Sequence, residues 1–162
     1  MADQKELIIK MALNNWNDQL NKAGKLFDSL TDAELEQPVA PNRNTGRYLL
    51  GHLTAVHDAL FPLLGSGDKL YPELEKPFIS NPESAQLPGP DLQQLRKYWN
   101  RVNQALSSKF NTLTTEEWLD RHNAVTPEDF IKEPHRNRLN VLLSRTSHLS
   151  YHRGQLVFLQ KK

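Results

Sequence analysis

A proline-rich segment in the middle of this chain constrains its fold more than any other sequence feature. Residues 65–90 contain five of the ten prolines, at positions 72, 77, 82, 88 and 90. Because proline removes a backbone donor and clashes with the preceding helical turn, no long helix can form there. At about 3.3 Å per extended residue, the segment reaches well beyond the length of a helix of about 30 Å. It can therefore act as a crossover, so that the helices before and after it run parallel.

Four segments around that crossover carry apolar residues at helical spacing. We predict long helices over about residues 5–30, 45–64, 91–110 and 136–159. Shorter capped turns are indicated at 31–34, 114–118 and 126–129. Asp91 follows Pro90 as a helix cap, and Pro62 should kink or tighten the last turn of the second helix. No strand-like alternation extends beyond a few residues, so the sequence predicts an all-α four-helix bundle.

Length and composition restrict the class of protein. The 162 residues suit a single domain over 1–162 and leave little room for two. The net charge is +1 with both signs interspersed, so neither nucleic acid nor an anionic membrane surface has a basic patch to bind. Because no apolar run approaches a membrane span and no signal peptide is recognisable, we expect a cytoplasmic protein. The chain has no cysteine, which excludes a thiolate nucleophile and a disulfide framework.

The strongest indication of chemistry is a pair of histidines in the fourth predicted helix. His148 and His152 are four residues apart, which places both imidazoles on one helical face, at or beside the apolar stripe. Two buried imidazoles are costly unless their ring nitrogens find partners, which a divalent cation provides. His52, in the second predicted helix, can complete a three-histidine site. Six histidines give such a spacing by chance in roughly one sequence in five, so ordinary core histidines are an equal alternative.

The strings around these histidines resemble a known family. H-L-S-Y-H-R-G-Q at 148–155 resembles the C-terminal signature of the DinB/YfiT-like family, and G-H-L at 51–53 resembles its other signature. The first string is fairly specific, whereas the second is common. The resemblance covers essentially the whole chain, with four long helices, a long second connection and both motifs in the right order.

The resemblance implies both a topology and a metal site. The expected fold is a four-helix bundle of up-down-down-up topology, with the long crossover between helices 2 and 3. The expected metal ligands are His52, His148 and His152, holding one divalent ion. Three imidazoles do not select among zinc, nickel, iron and manganese, so the metal stays open. The family also implies a small-molecule substrate, which for some relatives is a low-molecular-weight thiol, and a homodimer, since relatives are often dimeric.

Residues close to the predicted ligands have expected supporting roles. Gln155 can orient a ligand ring or a metal-bound water. Gly154 is expected to let a neighbouring helix approach closely, and Arg153 to pair with a carboxylate on a neighbouring helix. Ordinary packing and capping are the alternative roles for Arg153 and Gln155. Thr45 can supply the small hydroxyl that relatives often carry at the start of the second helix. The aromatic residue that they often carry there is either absent from this chain or replaced by Tyr48.

Other polar residues are predicted to lie outside the site. His57 lies about 140° around its helix from His52, which favours a surface or inter-helix role. Asp58 likewise points away from His52. His122 and His135 are in charged, loop-like surroundings, and we expect both to be solvated. The tryptophans of the first and third predicted helices suit either the core or a dimer face.

The predicted site suits several reactions. Three neutral imidazoles leave a metal at its full charge with open positions, which favours polarising a carbonyl, activating water or binding a thiolate. We therefore expect a metal-dependent enzyme that transfers a group to a low-molecular-weight thiol or hydrolyses its substrate. The alternatives are a non-catalytic, stress-associated metal-binding or dimerising bundle, and a helical bundle with ordinary core histidines. The sequence names no general base, although Tyr151 and loop glutamates are candidates.

Overall fold

Four long helices build the molecule, whose computed structural model describes residues 3–160. They are α1 (Gln4–Ser29), α2 (Gly46–Asp58), α3 (Leu92–Phe110) and α4 (Arg138–Leu156). Shorter helical turns occupy Asp32–Leu35, Leu60–Leu63, Pro72–Leu74, Glu75–Phe78, Glu83–Ala85, Thr115–Leu119, Pro127–Lys132 and Val157–Leu159. Over residues 3–160 the chain forms no β-strand, which confirms the predicted all-α class. Within that range, no helix has both the length and the apolar character needed to cross a membrane.

The second helix breaks where proline requires it. Pro62 has no backbone N–H and cannot donate a hydrogen bond to the carbonyl of Asp58. The helix is interrupted at Ala59 before it resumes over Leu60–Leu63. Gly65 then takes a positive φ of 69° and turns the chain away. The prediction of one helix with a disturbed last turn is therefore accurate, and the disturbance lies one turn before the proline.

The crossover lets α2 and α3 run in the same direction. Near their starts, Arg47 Nη2 donates a hydrogen bond to Pro90 O at 2.8 Å, directly before α3. Further along both helices, His57 and Asn103 form a hydrogen bond of 2.7 Å. Since both contacts follow the same order in the two helices, these helices lie parallel, as the length of residues 65–90 permits.

The other pairings run in opposite directions. Arg138 Nε at the start of α4 donates to Leu64 O, which follows α2, at 3.0 Å. At the other end, Gly46 lies against the side chain of Leu159, which follows α4. Helix α4 is therefore antiparallel to α2, and this order is compatible with the predicted up-down-down-up arrangement.

The tryptophans belong to the core between the helices. Trp16 of α1 is fully buried and packs on Phe110 at the end of α3, with ring centroids 5.9 Å apart. Phe27, later in α1, packs on Trp99, earlier in α3, at 5.2 Å. Helices α1 and α3 are thus antiparallel, and Trp16 and Trp99 serve the core instead of a surface available to a second copy.

Two carboxylates fasten the crossover to the bundle. The buried Asp58 accepts hydrogen bonds from the backbone amides of Leu70 and Tyr71, both at 2.8 Å. Glu83 accepts from the amide of Thr45 at 2.8 Å and also from its hydroxyl. As predicted, Asp58 points away from His52, and its role is to hold the crossover against α2.

Candidate metal centre

His52 is placed by the crossover as much as by its own helix. Its Nδ1 lies 2.7 Å from Phe78 O, and because a carbonyl oxygen only accepts, Nδ1 carries the proton and donates. Its Nε2 therefore presents a lone pair. The ring of Tyr48 lies parallel to the imidazole, at 6° and 6.2 Å between centroids, while the Tyr48 hydroxyl donates to Asn81 O at 2.9 Å. The half-buried His52 is thus fixed in both tautomer and orientation.

The two histidines of α4 lie one helical turn apart and face α2. His152 Nδ1 is 2.7 Å from Gln155 Oε1, to which it donates, so its Nε2 also presents a lone pair. Gln155 Nε2 in turn donates to the hydroxyl of Tyr151 at 3.3 Å. Gln155 therefore contacts the ring of a candidate ligand, which is one of the two roles predicted for it. The contact also determines which nitrogen of His152 is available.

The three Nε2 atoms converge on one point. His148 Nε2 lies 3.2 Å from His52 Nε2 and 3.1 Å from His152 Nε2. A proton on His148 Nε2 could satisfy only one of the two lone pairs that face it. A cation between them accepts all three, and the neutral imidazole nitrogens match the donor set that divalent transition metals prefer. Within residues 3–160, the group contains no carboxylate.

The protonation state of the pair in α4 suits ligation. Burial and, to a smaller extent, the neighbouring His152 and His52 lower the pKa of His148 to about 3. The pKa of His152 is also lowered, mainly by burial. Both rings are therefore neutral at pH 7, as metal ligands must be. Desolvation would disfavour a charged imidazole here, whereas a neutral one needs only partners for its two nitrogens.

Gly51, the glycine of the G-H-L motif, makes the His52 contact possible. A Cβ on Gly51 would lie 2.4 Å from the ring of Phe78. Without a side chain at this position, Phe78 packs directly on α2, and its carbonyl reaches the neighbouring His52. The motif G-H-L thus combines a ligand candidate with the residue that admits the group orienting it.

Two expectations about the α4 motif are wrong. A Cβ on Gly154 would meet no atom within 4 Å, so this exposed glycine admits no neighbouring helix. Arg153 is half-buried and pairs with no carboxylate among residues 3–160, and its Nε has no hydrogen-bond partner there. Both residues lie on faces of α4 other than the one that carries the two histidines.

The remaining histidines lie apart from this cluster. His57 is fully buried, which excludes the surface alternative and leaves the inter-helix role. Its Nδ1 donates to Asn103 Oδ1 at 2.7 Å, between the rings of Trp16 and Trp99. His135 is exposed as predicted, whereas His122 is half-buried and accepts a bond from Ala124 N.

Two pockets adjoin the candidate centre. One of about 260 Å³ is lined by His152, Gln155 and Tyr151. Another of about 750 Å³ is lined by Tyr48, by Phe78 and by the later part of the crossover. The loop 42–44 lines both. The smaller pocket therefore gives a small molecule access to His152, whereas the larger one touches Tyr48 and Phe78, the neighbours of His52.

Comparison with known proteins supplies a family. A model of the DinB superfamily matches residues 16–156. That span contains the crossover and all three clustered histidines. A search of curated proteins returned no match.

Proposed function

The chain belongs to the DinB superfamily, and from that premise we propose that it binds one divalent metal ion through His52, His148 and His152. The observation that carries this proposal is the approach of the three Nε2 atoms, at 3.2 Å and 3.1 Å, with two lone pairs fixed by outer hydrogen bonds. Zinc, nickel, iron and manganese all accept imidazole nitrogen, so element analysis has to name the ion.

The protein's own groups prepare the ligands. The Phe78 carbonyl holds His52, and the Gln155 amide holds His152, so little rotational freedom of these rings is left to lose on binding. Burial keeps the two histidines of α4 neutral at pH 7. These features favour a preorganised site over one assembled by the ion.

We extend the proposal to a metal-dependent enzyme that either transfers a group to a low-molecular-weight thiol or hydrolyses its substrate. A divalent ion held by three neutral ligands can polarise a carbonyl, lower the pKa of bound water toward about 7 or bind a thiolate. The pocket of about 260 Å³ beside His152 offers room for a small substrate. Tyr151 lines that pocket and accepts from Gln155, so its own O–H is free to donate to a substrate.

A non-catalytic metal-binding bundle is the competing function. It is favoured by the lack of a carboxylate in the histidine group among residues 3–160, which leaves no evident general base beside the site. The two functions share the metal and differ only in turnover. A screen for activity therefore separates them once metal binding has been measured.

Metal content is the first test. Protein purified without nickel resin should carry about one divalent ion per chain, and His148→Ala should lose it because the central nitrogen of the cluster is removed. The exposed His135 provides a control, since His135→Ala should keep the ion. Element analysis by mass spectrometry gives both values. Metal-free protein, or equal metal loss in the two variants, would overturn the proposed site.

Activity is the second test. Electrophile conjugation by small thiols such as glutathione, bacillithiol or mycothiol, and ester and amide hydrolysis, should be measured with and without EDTA. Turnover that EDTA abolishes and metal restores supports the enzyme. A complete absence of turnover in metal-loaded protein would favour the binding function.

A further inference from the structure

The loop before α2 lines two pockets near the candidate centre, and the smaller of the two is also lined by His152. Residues 42–44 line the smaller pocket together with His152, and the larger pocket together with Tyr48, whose ring lies against His52. A substrate group that approaches His152 through the smaller pocket therefore passes this loop. Its side chains are Asn42, Arg43 and Asn44, which offer hydrogen-bond donors and one positive charge.

Arg43 is exposed, and it is the one charged residue lining these pockets whose side chain has no hydrogen bond or ion pair within residues 3–160. Arg47, by contrast, donates to Pro90 O and lies 3.7 Å from Glu36. The acid of the larger pocket, Glu83, is occupied by the amide and hydroxyl of Thr45. A negatively charged ligand would thus meet one available guanidinium.

The balance of charge favours a single negative charge. The larger pocket is lined by two arginines and one glutamate, and one of those arginines already faces Glu36. A carboxylate matches the available guanidinium in charge and can accept two parallel hydrogen bonds from it. A doubly charged phosphate ester would place excess negative charge near Glu83.

The backbone around the larger pocket is held in an uncommon conformation. Asn42 (φ 60°) and Gln86 (φ 48°) are the two non-glycine residues with left-handed backbone in the described part of the chain, and both line this pocket. Such conformations cost free energy and persist where the surroundings fix them, which is common at ligand sites. The position of Arg43, next to Asn42, follows from this turn.

We propose that these pockets bind a small substrate that carries a carboxylate, and that Arg43 is the residue that selects it. The inference rests on the proposed function, because it places the substrate's acid group beside the three-histidine centre. It makes Arg43 a specificity-determining residue for an acidic small molecule, such as a thiol that bears a carboxylate.

The test compares an acid with its neutral amide. Cobalt(II)-loaded protein is titrated with 3-mercaptopropionate and with 3-mercaptopropionamide, and thiol binding is followed by visible absorption. The acid should bind about tenfold more tightly, the equivalent of one charge-assisted hydrogen bond. Arg43→Gln should abolish this preference. Arg101→Gln should retain it, because Arg101 lines a different hollow on α3. Equal affinities in the unaltered protein, or a preference that survives Arg43→Gln, would overturn the proposal.

A second measurement does not depend on the metal. In EDTA, saturation-transfer NMR should show the acid, and not the amide, in contact with the protein, and acetate should displace it better than inorganic phosphate does. If no cobalt binds but this preference persists, the metal centre is wrong and the acid pocket stands. If cobalt binds and the acid and amide behave alike, the pocket is wrong and the centre stands. Stronger displacement by phosphate would overturn the choice of a carboxylate.

Discussion

The outer nitrogens of the three clustered histidines have three different environments. His52 Nδ1 donates to a main-chain carbonyl, and His152 Nδ1 donates to the side chain of Gln155. His148 Nδ1 is buried and has no hydrogen-bond partner within residues 3–160. Of these three environments, only that of His152 is set by a side chain that substitution can remove without altering the backbone. Residue-scale predictions therefore begin with Gln155.

Gln155→Ala should weaken metal binding by about 10- to 100-fold, the usual effect of removing an outer hydrogen bond from a metal-bound histidine. The fold should be unchanged, since Gln155 lies on the half-exposed side of α4. Competition with a chromophoric chelator measures the affinity, and circular dichroism checks helix content. Gln160→Ala serves as a control because Gln160 contacts Ser29, away from the cluster. Unaltered affinity in Gln155→Ala would show that His152 needs no outer partner.

His57 should make the metal-free protein acid-sensitive. Burial lowers its pKa to about 4, whereas the unfolded chain takes up this proton near pH 6.5. The unfolded state therefore binds more protons as pH falls from about 6.5 to about 4, and up to about 3 kcal/mol of unfolding free energy is lost over that range.

Urea unfolding in EDTA at several pH values measures this loss. His57→Leu should lower stability at pH 7, because Asn103 loses its partner, but should also flatten the pH dependence. His135→Ala should keep the original slope. A slope that His57→Leu leaves unchanged would assign the acid sensitivity to other groups, such as His148, whose pKa is also lowered.

At the scale of elements, the crossover does more than connect α2 to α3. It packs Phe78 on Gly51 and aims the Phe78 carbonyl at His52, while Asp58 and Glu83 hold it at two further points. The centre is therefore built by α2, α4 and an irregular segment together. Displacing that segment should disturb the ligands even if both helices stay folded.

Gly51→Ala should produce that displacement. The new methyl group would meet the Phe78 ring at 2.4 Å, so the ring and its backbone must shift. We expect a loss of about 1–3 kcal/mol of unfolding free energy from overpacking, and weaker metal binding as His52 loses its acceptor. Gly24→Ala is the matched control, because a Cβ at this helical position of α1 meets nothing within 4 Å. It should raise stability by about 0.5–1 kcal/mol. Equal effects of the two variants would contradict the role given to Gly51.

Sequence periodicity predicted which segments form helices better than which faces they bury. Apolar residues at 7, 8, 9, 11 and 12 surround the first turns of α1, so spacing alone does not choose among them. In the structure Ile9 and Ala12 are buried, whereas Ile8 and Met11 are 57% and 62% exposed. The motif likewise predicts a close helix contact at Gly154 that the structure does not have, because a motif gives spacing and not the direction of the nearest neighbour.

At the scale of the whole molecule, the pairing of helices determines which contacts of the site could be predicted from the sequence. His52 and His148 are 96 residues apart, and only the packing of α4 against α2 brings their Nε2 atoms to 3.2 Å. The three clustered histidines were predicted from motifs, whereas the Phe78 contact was not, since it depends on the path of a segment without regular periodicity. The family match over residues 16–156 confirms the resemblance that linked the two motifs.

Metal should stabilise the whole fold because its proposed ligands come from two long helices. An ion at 100 times its dissociation constant should raise the unfolding free energy by about 2.7 kcal/mol, if it binds only the folded state. Urea unfolding with added metal and with EDTA measures the difference. His52→Ala should lose this increment, whereas His135→Ala should keep it. No increment in the unaltered protein would mean that the centre and the fold are not coupled.

The oxygen that orients His52 belongs to the main chain. Every residue type carries that oxygen, so substitutions in the crossover can accumulate without removing it, provided that the segment keeps its path over Gly51. Insertions and deletions between α2 and Phe78 would instead move it. Relatives should therefore conserve the length of this segment more than the identity of its residues. A comparison of side chains alone would overlook a main-chain group on which the centre depends.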